Sequence, residues 1–212
     1  MPYSQSPSVP LVLINGLGAP RVAARTYAMY FRARGLDVST VPQPLLLFED
    51  IRKSARAVGA QVEKVLARTS APKVDLIGMS LGGLIGLYYV KCLGGGAHVR
   101  TFVSVGGPLA GVPLLDTLGR VLPLHLITPL PQTATHNDLQ DELRAARVPE
   151  GVRMYSVGSS GDPLTPRNTL DVEGVTPVET QHGLFPIGHW LLFTHPNNLR
   201  TVFRLLARDQ AA

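Results

Sequence analysis

Ser80 stands between glycines in "VDLIGMSLGGLIGLYY", Val74 to Tyr89, where an apolar run fit for a buried strand gives way to one fit for a helix. The pentapeptide "GMSLG", Gly78 to Gly82, fits the pattern G-x-S-x-G. A nucleophile on so sharp a turn needs small neighbours, and Gly78, Gly82 and Gly83 supply them. The turn would present the hydroxyl at the carboxyl edge of a sheet, beside free N–H groups at a helix start that can stabilise an oxyanion. A serine hydroxyl at its ordinary pKa is a poor nucleophile. The chemistry therefore requires a histidine base and, as a rule, a carboxylate that orients it.

In a strand–turn–helix setting of this kind the acid and the base follow the nucleophile in that order. Asp162 in "SVGSSGDPLTP" lies just beyond an expected strand, in a loop of small residues, and is the first candidate for the acid. A plain turn aspartate ahead of proline is the competing reading, and Asp171 and Glu173 lie further from a strand end. Three histidines follow: His182, His189 and His195. His189, in "GHW", is expected in the loop between the last strand and the last helix, where a base belongs. His195 reads as a first-turn residue of that helix, and His182 stays open as the second candidate base. The oxyanion donors expected are the amide of Leu81, directly after the nucleophile, and that of Leu17 in the turn "NGLGA" after the first strand.

These residues need a sheet to hold them. "SVPLVLIN", Ser8 to Asn15, is a short apolar run of the kind buried on both faces and stopped by Asn-Gly. Pro20 suits a first helical position and Gly35 a helix end, so "RVAARTYAMYFRAR" reads as a helix and "LDVSTV" as the next strand. Ile51, Ala55, Val58, Val62, Val65 and Leu66 recur at helical spacing. "KVDLIG", a helix from about Leu81 to Leu93, "VRTFVSVG", "VRMYSVGS", "VTPVETQ" and a final helix "PNNLRTVFRLLARD" continue the alternation. Strands alternating with helices predict a mostly parallel sheet covered on both faces. Between Leu109 and Val148 runs a proline-rich interlude with a helical piece, "HNDLQDELRAAR", and it is read as a cap or substrate-facing flap.

The 212 residues suit one domain, 1–212, with 109–148 as an insertion within it. Hydrophobic residues at 45% and charged residues at 17% exclude a disordered chain, and 21 Gly with 18 Pro imply many tight turns. The net charge of +5 is spread along the chain without a basic block, which argues against a nucleic-acid partner. The lone Cys92 excludes an internal disulfide framework and a cysteine-based metal site. No apolar run approaches about 18 residues, so stable membrane insertion is not expected, though contact with a lipid interface is compatible with the composition. "MPYSQSPSVP" lacks the features of a signal peptide, so a cytoplasmic protein is expected, with a secreted mature form whose signal was already removed as the alternative.

With these motifs in place the chain resembles the α/β-hydrolases, and among them the small bacterial lipases and esterases with a minimal sheet. The likeness is carried by "KVDLIGMSLGGLIGLYYVKCLGGGAHVRTFVSVGGPLAG", "YSVGSSGDPLTP" and "IGHWLLFTHPNNLRTVFRLL". It implies a three-layer α/β fold with a roughly six-stranded sheet and a triad of Ser80, Asp162 and His189. It also implies cleavage of carboxylic esters through an acyl-enzyme, with no metal or organic cofactor and a small ester or lipid as substrate. Two departures stand out. Asn15-Gly16 replaces the His-Gly usual in that group, and the interlude is longer than in its smallest members. Leu114, Leu115, Leu118, Leu122 and Ile127 are read as an acyl-binding wall or as a cap's own core. Acyl transfer or thioester hydrolysis on the same triad is the alternative chemistry, and a non-catalytic binding module is the alternative of another class.

Overall fold

The computed structural model describes residues 9–16, 21–41, 50–121, 130–162, 164–165, 171–180 and 188–207; within these, residues 21–23, 118–121, 188 and 190 are described by their backbone. Six strands form one sheet: β1 (Leu11–Ile14), β2 (Val38–Thr40), β3 (Val74–Met79), β4 (Val99–Val105), β5 (Arg153–Gly158) and β6 (Thr176–Glu179). Their order is β2-β1-β3-β4-β5-β6, and every pairing is parallel. The helices are α1 (Arg21–Arg32), α2 (Ile51–Thr69), α3 (Leu81–Cys92), α4 (Pro113–Val121), α5 (Asp138–Ala145), α6 (Gly188–Thr194) and α7 (Pro196–Ala207).

The continuous apolar run of β1 is explained by its two buried faces. Successive side chains of β1 alternate, so Val12 and Ile14 join one core with Val58, Val62, Leu84 and Leu139, while Leu11 and Leu13 join another with Tyr27, Phe31, Leu192 and Val202. Helices α2, α3 and α5 thus cover one face, and α1, α6 and α7 the other. Helix α3 is buried from Leu81 to Val90, as its apolar sequence demands. Asp50 caps α2 by accepting the N–H of Arg52 at 2.7 Å. Gly35 follows α1 at φ +83°, while Pro20 lies outside the described residues.

From β1 the chain crosses one face to β2, then the opposite face to β3. The carboxyl ends of β1 and β3 therefore meet at a topological switch point, where a crevice is open to a ligand. At the amino ends of the strands, Asp75 on β3, 1% exposed, takes a two-pronged ion pair from Arg100 on β4, with Nε–Oδ1 3.0 Å and Nη2–Oδ2 2.6 Å. The same Nη2 donates to the Leu206 carbonyl at 3.1 Å and so ties α7 to the sheet.

Two elements differ from the sequence reading. The interlude carries the expected helical piece as α5 and, in addition, α4, which was not expected, and Leu109, Leu139 and Leu143 belong to the main core. Pro113 occupies the first position of α4, where a missing N–H costs nothing. The last connection carries α6, so His189 sits on a two-turn helix rather than in a loop. Among the described residues no helix is long and apolar enough to cross a membrane.

Candidate active site

Ser80 links β3 to α3 with φ 51° and ψ −126°, a left-handed backbone that few side chains tolerate. The fold holds this strain by close packing. A Cβ on Gly78 would lie 2.3 Å from the Gly82 carbonyl oxygen, and a Cβ on Gly82 would lie 2.5 Å from that of Ile14. Hydrogen bonds pin both sides of the turn: Ser80 N–H donates to the Val105 carbonyl at 2.8 Å, and Gly83 N–H to the Ser80 carbonyl at 2.8 Å.

His189 Nε2 lies 3.0 Å from Ser80 Oγ, and its Nδ1 lies 2.6 Å from Asp162 Oδ2. A carboxylate can only accept, so Nδ1 carries the ring proton and Nε2 presents its lone pair to the serine hydroxyl. His189 is 4% exposed and Asp162 1%. The Phe193 ring, one turn along α6, meets the imidazole edge-on at 5.1 Å between centroids. From the other side Gly106, the turn residue after β4, faces the ring: a Cβ there would be 3.3 Å from His189 Cε1.

Asp162 lies in the turn after β5. Its Oδ1 accepts the N–H groups of Leu164 at 2.9 Å and Thr165 at 3.2 Å. Its Oδ2 accepts the Thr165 hydroxyl at 2.7 Å in addition to His189. Burial by itself would push this carboxyl up. The His189 hydrogen bond and charge, with those from Thr165 and Leu164, outweigh it and hold the group below the ordinary aspartate value. Thr165 escaped the sequence reading, although a threonine three residues after a turn aspartate is a recurrent side-chain-to-backbone pattern. Gly106 was visible as the "GG" after β4, but its contact with the imidazole was not.

The oxyanion donors are described in part. Leu81 opens α3, so its N–H has no acceptor within the helix. Leu17 lies outside the described residues, but Gly16 beside it packs on the nucleophile: a Cβ there would be 2.6 Å from Ser80 Cβ. Asn15 has a buried Oδ1 with no hydrogen-bond partner among the described residues.

The remaining candidates fall elsewhere. His182 lies outside the described residues. His195 joins α6 to α7, where its carbonyl accepts the N–H groups of Asn198 and Leu199. Asp171 and Glu173 are exposed ahead of β6. Of the expected acyl wall, Leu114 is 63% exposed and Leu115 half-buried; the Leu118 side chain, Leu122 and Ile127 lie outside what is described. Among the described residues no group of three or more His, Cys, Asp or Glu could hold a metal ion.

The sheet order and helical layers recur in solved structures. The chain aligns with Bacillus licheniformis lipase in its mature form at TM-score 0.77 and 11% identity, over 94% of this chain and 92% of that one. It aligns with Paleococcus ferrophilus monoacylglycerol lipase at TM-score 0.65 and 16% identity, over 95% and 97%. With Aspergillus fumigatus lipase B the TM-score is 0.70 at 18% identity, over 99% of this chain and 55% of that one. At these identities the likeness is one of fold, and the fold is that of the α/β-hydrolases. The sequence match is narrower, because residues 11–148, which carry β1, the serine turn and the whole interlude, fit the palmitoyl protein thioesterase family. The chain belongs to that family of α/β-hydrolases.

Proposed function

We propose that the protein is a serine hydrolase of carboxylic esters, with Ser80 as nucleophile, His189 as general base and acid, and Asp162 as the carboxylate that orients the base. The carrying observation is the unbroken contact from Ser80 Oγ through both imidazole nitrogens to Asp162 Oδ2. Ser80 Oγ attacks the acyl carbon while its proton passes to His189 Nε2. The negative charge that develops on the carbonyl oxygen is held by the Leu81 N–H and by that of Leu17. Collapse breaks the bond to the leaving group, which departs with the proton from Nε2. Water then attacks the acyl-enzyme with the same base, the carboxylic acid leaves, and Ser80 is restored.

Thioester cleavage is the second reading, favoured by the family match across residues 11–148. It changes the leaving group from alcohol to thiol and uses the same groups. The test measures hydrolysis of p-nitrophenyl esters from acetyl to palmitoyl, and of an S-palmitoyl peptide, by wild type and Ser80→Ala. Ester cleavage lost in Ser80→Ala supports the first reading. Thioester cleavage at least tenfold faster than that of any ester moves the second ahead. Activity of Ser80→Ala near wild type overturns both.

A further inference from the structure

A second cavity, of about 380 Å³, lies beside the C-terminal end of α3. Its walls are Lys91 near the end of α3, Leu109 and Ala110 after β4, Gln140, Leu143 and Arg144 on α5, and Asp171, Val172 and Glu173 ahead of β6. Lys91 is separated from Ser80 by almost the whole 12-residue helix, about 16 Å at 1.5 Å per residue. The volume falls in the range of small-molecule sites, roughly 300–1,000 Å³.

The polar groups of this cavity are incompletely used. Gln140 is 2% exposed, yet its Nε2 has no hydrogen-bond partner among the described residues. An unmade bond on a buried amide costs about 1–3 kcal/mol, so such a group is retained at a loss unless something accepts from it. Lys91 Nζ donates to the Leu143 carbonyl at 2.8 Å, and an ammonium carries three donors. Arg144 is held at the rim by Asp141 and the Thr135 carbonyl. Asp171 and Glu173 bring carboxylates from the other wall. The charges balance, with cations on the helical side and anions on the opposite side. A net anion would meet Asp171 and Glu173, and a net cation would meet Lys91 and Arg144. A ligand carrying both charges on an apolar body would match each wall, with Leu109, Leu143 and Val172 against its apolar part.

We propose that this cavity is a binding site for a small zwitterion with an apolar side chain, of the α-amino acid class. Its carboxylate lies toward Lys91 and the Gln140 amide, and its ammonium toward Asp171 and Glu173. Burial lowers the Lys91 ammonium from its ordinary pKa, the Cys92 and Glu173 charges offset only part of that, and a ligand carboxylate would offset more.

Titration calorimetry on the full chain tests the site with three probes: L-leucine, isocaproate without the ammonium, and isoamylamine without the carboxylate. L-leucine is expected to bind at least tenfold more tightly than either analogue. Gln140→Leu, which removes the unpaired amide at similar volume, should weaken L-leucine at least tenfold. The same variant should melt at or above the wild-type temperature and hydrolyse p-nitrophenyl butyrate within twofold of wild type, because Gln140 stands on α5, outside the proposed triad. The proposal is overturned if no probe binds, which would leave water as the partner of the amide. It is equally overturned if isocaproate matches L-leucine, or if Gln140→Leu binds as well as wild type.

Discussion

Asp162→Asn is the most exacting perturbation of the proposed triad, because the surrounding donors dictate how the new amide must sit. Oδ1 accepts two backbone N–H groups, from Leu164 and Thr165, and neither can become an acceptor. The asparagine oxygen must therefore face them, since the flipped amide would leave two buried donors unpaired at about 1–3 kcal/mol each. Its NH₂ then takes the place of Oδ2, between the Thr165 hydroxyl and His189 Nδ1. The hydroxyl can turn and accept. His189 can accept only by moving its proton to Nε2, which then points a donor at Ser80 and cannot take the serine proton. The loss should resemble that of a triad locked in the wrong tautomer, about 10³–10⁴-fold in kcat, or roughly 4–5.5 kcal/mol at 1.36 kcal/mol per decade. KM should change little. Initial rates with p-nitrophenyl butyrate measure this, with circular dichroism melts to confirm folding. A folded Asp162→Asn protein with kcat within tenfold of wild type would refute the reasoning. Stability against pH gives an independent readout. A carboxyl held below its unfolded value, about 3.9, stabilises the fold above that pH and loses the effect as pH falls through the lower folded value. The gap in melting temperature between wild type and Asp162→Asn should therefore narrow from pH 6 to pH 3.

Thr165→Val removes a donor from the oxygen that receives His189. It should lower kcat about three- to tenfold and displace the acidic limb of the kcat/KM pH profile toward higher pH, with Thr165→Ser restoring both; an unmoved profile would remove Thr165 from the site. Gly78→Ala drives a Cβ to 2.3 Å from a backbone oxygen. It should lower stability in urea by about 1–3 kcal/mol or more, as overpacking does, and normal stability would mean the elbow is looser than described. Arg100→Met strands the Asp75 carboxylate in the core and should cost about 3–5 kcal/mol. Asp75→Leu combined with Arg100→Met should recover most of that loss in urea titrations, and no recovery would assign the effect to the Leu206 contact instead.

The inner strands were legible because a parallel sheet buried on both faces leaves apolar runs, continuous in Leu11 to Ile14 and rich in valine in Val99 to Val105. Ser80 was legible because its turn demands glycines at set spacings. Asp162 and His189 were picked by chain order, and Asp162 over Asp171 by its nearness to a strand end; the structure places Asp162, His189 and Ser80 in contact. Helix α6 was not legible: at 7 residues it is too short to display a period, and it begins with glycine. Helix α4 was hidden in the proline-rich interlude, where Pro113 stands at the one helical position that accepts it. The acyl wall was inferred from leucine content alone, which is blind to orientation, and Leu114 points largely to solvent. The second cavity has no sequence signature, since its residues come from four separate stretches.

The order β3-β4-β5 also acts as a ruler. Neighbouring strands are about 4.8 Å apart, so turns two strands apart are separated by roughly 10 Å. An imidazole with a hydrogen bond at each end fills most of that gap, and short side chains at Ser80 and Asp162 close the rest. An acid on the β4 turn would stand one spacing too near to admit the ring. The strand that is passed over must end without a side chain to let the ring cross, and Gly106, at φ +58°, meets that requirement. Moving the acid along the sheet would thus require a new bridge as well as a new carboxylate.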